Sequence, residues 1–206
     1  FNQPVQVIID TKFLKSLSKL EIQCGLMEVI KHGLISDKGF FTWLEKNLKQ
    51  ILSLKPQFIE RAIKRSIEIK ADVVSKDEKE NGLRAILNFG HTFGHALETI
   101  GNNKLYTHGE AVALGMLAAT KLSESISDLD PKVFDRVHST IKNTGIKVKL
   151  KKKIVPKKLI KLMQSDKKKN NSQLKFILLE KIGKAKIKSV SNEITIENAI
   201  KNSLFY

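Results

Sequence analysis

The sequence predicts a mainly α-helical domain with a short N-terminal strand and a small β-hairpin near 174–190. Three observations support this fold class. Through most of the 206 residues, apolar side chains recur at intervals of three and four, which is the repeat of one helix face. Several of these runs begin with a capping residue or a proline and end at a glycine. Near the C-terminus, two short β-like runs lie on either side of Gly183, which favours a hairpin.

The first part of the chain is predicted to form one strand and then three helical regions. The strand is Val5 to Ile9. Helical spacing then covers 16–33, continues over 37–54 as one helix or two, and resumes at Pro56. Proline suits the first turn of a helix, because its missing N–H would be unpaired there anyway. The polar run at 75–82 is expected to end the third region.

A continuous helix is predicted over 84–100, and Gly101 is its expected C-cap. Thr107 and Glu110 form a capping box, which opens a helix rich in alanine and glycine. Small side chains in this helix would let a neighbouring helix approach closely. The remaining elements are predicted as helices at 131–145, 156–164 and 195–204 and as hairpin strands at 174–179 and 185–190.

Polar residues suited to chemistry share one face of the predicted helix at 84–100. Arg84, Asn88, His91 and His95 are separated by 4, 3 and 4 positions, and an apolar stripe with the same repeat lies opposite. A solvated helix face would carry Lys, Glu and Gln instead. This stripe therefore indicates a functional site.

Composition limits the classes of function. No run approaches the roughly 20 apolar residues of a membrane span. The single cysteine, Cys24, excludes an internal disulfide network and fits a reducing, cytoplasmic setting. The formal net charge of +16 favours anionic partners, so a basic helical module that binds nucleic acid is one alternative. Against it, the basic stretch from Lys142 to Lys188 lacks a pattern of interleaved aromatic residues and the arginines typical of such modules.

The spacing of His91 and His95 lets one helix offer two imidazoles to a metal ion. Thr92 stands where the zinc-protease signature has glutamate, so a peptidase is disfavoured. A catalytic zinc site usually has three protein ligands. His108 is a candidate third ligand, because a helix N-terminus disfavours the protonated imidazole. Glu28 is the candidate carboxylate, because it lies inside a largely apolar helix.

The same residues also have ordinary structural interpretations. His91 and His95 fit core histidines with satisfied hydrogen bonds, and His108 fits a first-turn residue without a ligand. Glu28 and Lys31 fit a surface ion pair. Three further residues are interpreted as ordinary surface, helix or supporting residues: His32, His138 and Glu98.

Five segments resemble the C-terminal domain of the 3-dehydroquinate synthase family, which belongs to the sugar-phosphate cyclases. They are GLMEVIKHG at 25–33, KADVV at 70–74, DEKENGLRAILNFGHTFGHALE at 77–98, HGEAVALGM at 108–116 and DKK at 166–168. The family's usual architecture is an N-terminal nucleotide-binding α/β domain followed by a helical metal-binding domain. The resemblance implies that 1–12 is a linker or strand from a missing N-terminal domain and that 13–206 is the helical metal- and substrate-binding domain.

The resemblance also implies roles for individual residues. A zinc (or cobalt) ion would be bound by Glu28, His91 and His108, and His95 would face the substrate. Substrate contacts are implied for Lys31, Lys70, Arg84, Asn88 and either Lys167 or Lys168, with Glu80 orienting groups in the site. Contacts with NAD are implied for Phe13, Leu14, Lys15 and Ser16. Two departures from the family pattern are expected to have local structural effects only: Ser18 for its usual proline and Leu20 for its frequent arginine.

The activity implied is the family's, that of an NAD- and metal-dependent phosphate lyase in the shikimate pathway of aromatic amino acid biosynthesis. It converts 3-deoxy-D-arabino-heptulosonate 7-phosphate to 3-dehydroquinate and phosphate. The resemblance implies a homodimer for the full-length enzyme, and we expect no nucleic-acid or membrane partner. The fragment alone is expected to be inactive. A related cyclase with another substrate and the nucleic-acid-binding module remain the alternatives.

Overall fold

The computed structural model describes residues 4–79, 82–102, 104–167 and 174–205, with the side chains of 166 and 167 left out. The helices are α1 (Lys19–Ser36), α2 (Lys38–Leu52), α3 (Pro56–Lys76), α4 (His91–Ile100), α5 (His108–Ser127), α6 (Pro131–Asn143), α7 (Pro156–Lys167) and α8 (Glu193–Leu204). Strands β1 (Lys175–Lys181) and β2 (Lys184–Ser189) form an antiparallel hairpin, and short 3-10 helices lie at Thr11–Ser16 and Leu83–Asn88. The predicted mainly helical fold with a hairpin is confirmed. Among the described residues, no helix combines the length and the apolar character needed to cross a membrane.

Helix α5 lies at the centre of the domain because it is apolar on nearly all sides. Its residues 109–120 are all buried, and α1, α4, α6, α8 and β1 pack around it. The capping box predicted at its start is present, with Thr107 accepting from the N–H of Glu110 and Glu110 accepting from the N–H of Thr107. The most central helix is therefore also one with a strong start signal in the sequence.

Glycines bring the neighbouring helices close to α5. A Cβ at Gly94 of α4 would lie 3.2 Å from the main-chain oxygen of Ala111, and a Cβ at Gly115 would overlap the main-chain oxygen of Gly90. On the other side, a Cβ at Gly109 would overlap Cys24 of α1. Helices α1 and α4 therefore each come into close backbone contact with α5, as the small residues of α5 predict.

The hairpin closes the domain over α5 and α1. Residues 176–179 of β1 are all buried, whereas β2 is mostly exposed. Gly183, at the turn, has a left-handed φ of 85°, and its N–H donates to the main-chain oxygen of Leu34 at 2.7 Å. A side chain there would be strained and would also strike Lys38, so glycine is required at this turn.

The predicted N-terminal strand does not form. In the described structure, residues 4–10 contain no strand, and Val5 and Ile8 are exposed. A single extended segment has no neighbouring strand to pair its N–H and C=O groups, so an apolar run alone is insufficient.

The prediction of one continuous helix over 84–100 is wrong. The 3-10 helix Leu83–Asn88 ends, Gly90 adopts a left-handed φ of 83°, and α4 begins only at His91. A Cβ at Gly90 would lie 2.8 Å from Met116 of α5. The break therefore depends on glycine, both for its conformation and for the close approach to α5. Residues before and after it do not share a helix face.

Two other boundaries differ in detail from the prediction. Helix α1 begins at Lys19, where Ser18 is the N-cap in a capping box with Glu21. Ser18, the departure from the family pattern, is thus a helix cap. The region 37–54, predicted as one helix or two, contains a single helix, α2.

His32, interpreted as an ordinary surface or helix residue, is a residue of α1 and is buried, with only 6% of its surface exposed. Its Nδ1 lies 2.7 Å from the hydroxyl oxygen of Ser66, which is also buried, so this pair links α1 to α3. Burial, followed by the positive charge of Lys31, lowers the pKa of His32 from 6.5 to about 4. The folded protein therefore resists protonation at His32.

The free energy of unfolding is expected to fall as the pH falls from about 6.5 to about 4. In this window the unfolded chain binds a proton at His32 and the folded chain does not. The contribution of His32 to the free energy of unfolding is therefore complete above the window and is lost as the pH falls through it. The share of His32 is about 3 kcal/mol at 1.36 kcal/mol per pKa unit. Urea denaturation of metal-free protein at several pH values measures it. His32→Asn should flatten this part of the curve, and parallel curves for both proteins would contradict the prediction.

Candidate metal centre

Glu28 presents a carboxylate oxygen that lacks a hydrogen-bond partner. Its Oε2 accepts from the Lys31 ammonium at 2.6 Å, and Lys31 is only 3% exposed. Its Oε1 is shielded from solvent and has no hydrogen-bond partner in the described structure. The ion pair considered for these two residues does form, but its lysine is buried and not at the surface. Burying an unpaired carboxylate oxygen costs free energy of folding unless a cation binds to it.

Two imidazole nitrogens face this oxygen. Nε2 of His91 lies 3.8 Å from Glu28 Oε1, and Nε2 of His108 lies 4.0 Å from it. The ligand atoms of all three residues lie within 4.8 Å of one another, and no other such group of His, Cys, Asp or Glu occurs in the described part of the chain. Ligands of a tetrahedral zinc ion at about 2.0–2.1 Å lie about 3.4 Å apart, so a small contraction around an ion suffices.

The convergence follows from the helix contacts. Glu28 lies one turn after Cys24 on α1, and Cys24 touches Gly109 at the start of α5. His91 is the first residue of α4, which touches α5 through Gly94. His108 is the first residue of α5, directly after its N-cap. Three ligands from three helices meet because glycine lets the three backbones approach.

The ionisation states suit metal binding at neutral pH. Burial, followed by the charge of Lys31, lowers the pKa of His91 to about 4, so its ring is neutral. Burial would raise the pKa of Glu28, but the charge and hydrogen bond of Lys31 outweigh it, and the pKa is lowered overall. Nδ1 of His91 lies 3.3 Å from the carbonyl oxygen of Phe89, which can only accept. Nδ1 therefore carries the proton, and Nε2 offers its lone pair to the centre.

A donor set of two imidazoles and one carboxylate is typical of catalytic zinc sites, which keep a further position open for water or substrate. The residues present therefore fit a divalent metal ion. A cavity of about 800 Å³ adjoins the centre. Its polar side includes Asn88, His91 and His95, and its apolar side includes Leu162 and Ile177. The candidate centre thus borders, at His91, a space large enough for a small molecule.

His95 lies beside the metal centre but outside the three-residue group. Its ring centroid is 5.4 Å from that of His91 and 6.4 Å from that of His108, and its side chain is exposed. The geometry brings together the three ligands implied by the resemblance and puts His95 on the cavity wall. Its contact with substrate stays a prediction.

The structure describes most of the other predicted site residues. Burial lowers the pKa of Lys31, and the nearby charge of Lys70 on α3 adds to this effect. Arg84 donates from Nη1 to the carbonyl oxygen of Glu78 at 2.7 Å. The group Phe13, Leu14, Lys15 and Ser16 belongs to a 3-10 helix in which Phe13 is 75% exposed. Glu80 and Lys168 lie outside the described residues, as does the side chain of Lys167.

Sequence reasoning missed the far wall of the cavity. Leu162 and Met163 come from α7, Lys175 and Ile177 from β1, and Ile187 from β2. They are ordinary apolar or lysine positions in ordinary elements, and no local pattern sets them apart. Only the packing of α7 and the hairpin beside α4 brings them to the site.

The family model of the 3-dehydroquinate synthase C-terminal domain matches residues 25–169. The chain belongs to the 3-dehydroquinate synthase family. It is 42% identical over 193 residues to the 3-dehydroquinate synthase of Thermoanaerobacter pseudethanolicus, which covers 94% of this chain and 54% of that relative. It is 45% identical over 185 residues to that of Nitrosomonas europaea, covering 90% and 50%. The chain therefore spans about half the length of the curated relatives it matches.

Two solved structures of other synthases share the fold. A 2-epi-5-epi-valiolone synthase from Streptomyces hygroscopicus, with NAD⁺ and Zn²⁺ bound, aligns with a TM-score of 0.84 at 23% identity, covering 94% of this chain and 54% of that chain. A 2-deoxy-scyllo-inosose synthase complexed with carbaglucose-6-phosphate, NAD⁺ and Co²⁺ aligns with a TM-score of 0.81 at 25% identity, covering 95% and 56%. The fold of this chain thus also occurs in a 2-epi-5-epi-valiolone synthase and a 2-deoxy-scyllo-inosose synthase.

Proposed function

We propose that this chain is the metal- and substrate-binding part of a 3-dehydroquinate synthase. The observation that carries the proposal is the convergence of His91 and His108 on the unpaired carboxylate oxygen of Glu28, beside a cavity. The identity of 42–45% to curated 3-dehydroquinate synthases supports this activity over those of more distant cyclases. The proposed reaction converts 3-deoxy-D-arabino-heptulosonate 7-phosphate to 3-dehydroquinate and inorganic phosphate.

In this proposal Glu28, His91 and His108 hold the metal, zinc or cobalt. When bound, such an ion supplies a Lewis acid that can hold neighbouring hydroxyl groups of the substrate. Lys31 keeps the Glu28 carboxylate ionised through its ammonium at 2.6 Å. The chain itself thus prepares an anionic ligand next to two neutral ones.

Cationic residues named by the family resemblance are proposed to recognise the acid groups of the substrate. Lys70, Arg84 and either Lys167 or Lys168 offer positive charge for a carboxylate and a phosphate, and a guanidinium can bind such a group with two hydrogen bonds. Asn88 and His95 line the cavity and are proposed to bind hydroxyl groups there. Glu80 is proposed to orient these groups.

NAD is proposed as the second cofactor, in agreement with the NAD⁺ named in the structures of both synthases above. The hydride chemistry belongs to the cofactor, and the protein supplies position and electrostatic environment. The exposed 3-10 helix with Phe13, Leu14, Lys15 and Ser16 is the proposed contact with the dinucleotide. A homodimer of the full-length enzyme and a cytoplasmic location complete the proposal.

A related cyclase activity is the second candidate, because the structural neighbours make different products from this fold. The two candidates differ in the substrate's carboxylate, which the cationic set would recognise. Parallel assays with 3-deoxy-D-arabino-heptulosonate 7-phosphate and with a sugar phosphate that lacks the acid group separate them. Turnover of the second substrate alone would favour the related cyclase.

The 206-residue chain is expected to bind zinc but to form no 3-dehydroquinate, because the proposed dinucleotide site needs residues of the nucleotide-binding domain. The chain extended upstream by that domain should form the product when NAD and zinc are supplied. Metal analysis after gel filtration and a phosphate-release assay measure the two properties. Dehydroquinate formation by the 206-residue chain would refute the requirement for the nucleotide-binding domain. Absence of product from the extended chain would refute the proposed function.

A further inference from the structure

The carboxylate of Glu98 contacts a candidate metal ligand, His108, but is not itself one of the three candidate ligands. Oε1 of Glu98 lies 3.1 Å from Nδ1 of His108, on the opposite side of the imidazole ring from the nitrogen that faces Glu28. We propose that Glu98 is a positioning residue that fixes the orientation of the His108 ring for metal binding. This inference rests on the proposed metal site.

The hydrogen bond determines which nitrogen of His108 carries the proton. A carboxylate can only accept, so Nδ1 must donate to Glu98. In the neutral ring, Nε2 is then the nitrogen with the free lone pair, and it is the one that lies 4.0 Å from Glu28 Oε1. In the other tautomer, a lone pair would face the carboxylate, which is repulsive, and Nε2 would carry a proton into the metal site.

His108 needs such support more than the other imidazole ligand does. Its side chain is 53% exposed, whereas that of His91 is 13% exposed and is held by its surroundings and by the carbonyl of Phe89. An exposed side chain at the first position of a helix can adopt several rotamers. The hydrogen bond that His108 donates to Glu98 selects the rotamer that points Nε2 inward.

The position of Glu98 on α4 supports a role beyond solvation. It follows His91 by seven residues and His95 by three, so the three side chains lie on one face of α4. An acidic residue in the last turn of a helix opposes the helix dipole, and a surface position there would favour a cation. Glu98 instead pairs with His108 and is only 21% exposed. A carboxylate behind a metal-binding imidazole also raises the basicity of the ligating nitrogen.

Zinc affinity tests the proposal. We expect Glu98→Ala to weaken zinc binding about 10–100-fold in competition with a chromogenic chelator, as is typical for loss of such a partner. Glu98→Gln can still accept from Nδ1 through its amide oxygen, so it should keep most of the affinity. Nitrogen NMR of the metal-free protein should show His108 protonated at Nδ1 in the wild type and in Glu98→Gln, and a mixture of tautomers in Glu98→Ala. Glu197→Ala, which removes a carboxylate paired with Lys201 on α8, is the matched control.

Three outcomes decide the matter. Unchanged zinc affinity in a folded Glu98→Ala protein would overturn the proposal. So would equal loss of affinity in both Glu98 variants accompanied by a lower melting temperature of the metal-free protein, because that pattern indicates a structural role. Loss in Glu98→Ala with rescue in Glu98→Gln supports it. A protein that binds zinc in this way but forms no dehydroquinate after upstream extension would refute the proposed function and leave this inference standing.

Discussion

His91→Ala should strip the metal from the protein, whereas His95→Ala should leave it bound and reduce turnover. Nε2 of His91 lies 3.8 Å from the unpaired oxygen of Glu28, and the third ligand, His108, faces the same point. Removing one of three protein ligands leaves a site that cannot hold a divalent ion against water. His95 lies on the cavity wall outside this group, so its loss affects what the cavity binds.

The experiment compares both variants in the same buffers. Zinc content after dialysis against a weak chelator reports the metal, and phosphate release by the extended chain reports turnover. We expect zinc to fall below about a tenth of the wild-type content in His91→Ala, given the 10–100-fold losses seen even for supporting residues. His138→Ala, a half-buried histidine on α6, is the control that should change neither property. Equal zinc loss in His91→Ala and His95→Ala would show that the ligand set is wrong.

Gly115→Ala is expected to destabilise the protein by about 3 kcal/mol or more, at the upper end of overpacking effects. The new Cβ would overlap the main-chain oxygen of Gly90 and lie 2.9 Å from the main-chain nitrogen of Gly94. These are backbone atoms, so no side chain can rotate away, and α4 must move off α5. Because His91 begins α4, the same change should also weaken zinc binding.

Gly25→Ala is the matched control, because Gly25 also lies in a helix but a Cβ there would meet no heavy atom within 4 Å. Alanine is favoured over glycine in a helix by about 1 kcal/mol, so this variant should be equally or more stable. Urea denaturation of both variants and the wild type, with zinc titration of each, measures the two effects. Equal stability of Gly115→Ala and the wild type would show that the contact between α4 and α5 is looser than described.

Local features of the fold were predictable because their causes lie within a few residues. The capping box at Thr107 and Glu110, the helix start at Pro131 and the turn at Gly183 each depend on short-range chemistry, and all three are present. The break at Gly90 escaped prediction because helical spacing continues across it. Its cause is a contact with Met116, which is distant in sequence.

The candidate site likewise has features that the sequence predicted and features that only the fold revealed. The residue types and their resemblance to a known family named Glu28, His91 and His108 before any geometry, and the structure brings these three together. The spacing argument alone, which paired His91 with His95, did not separate a ligand from a cavity residue. The burial of Lys31, which pairs with Glu28, also required the fold.

The sequence by itself determined the helical class, the hairpin, most element boundaries and the identity of the chemical groups. These depend on periodicity, caps and residue type, which are properties of neighbouring positions. The tertiary structure alone decided that ligands from three helices meet at the unpaired oxygen of Glu28. It also decided that Glu98 contacts His108 and that residues of α7 and the hairpin line a cavity. The physical reason is close packing: backbones touch at glycines, so the positions of side chains distant in sequence follow from steric fit between helices.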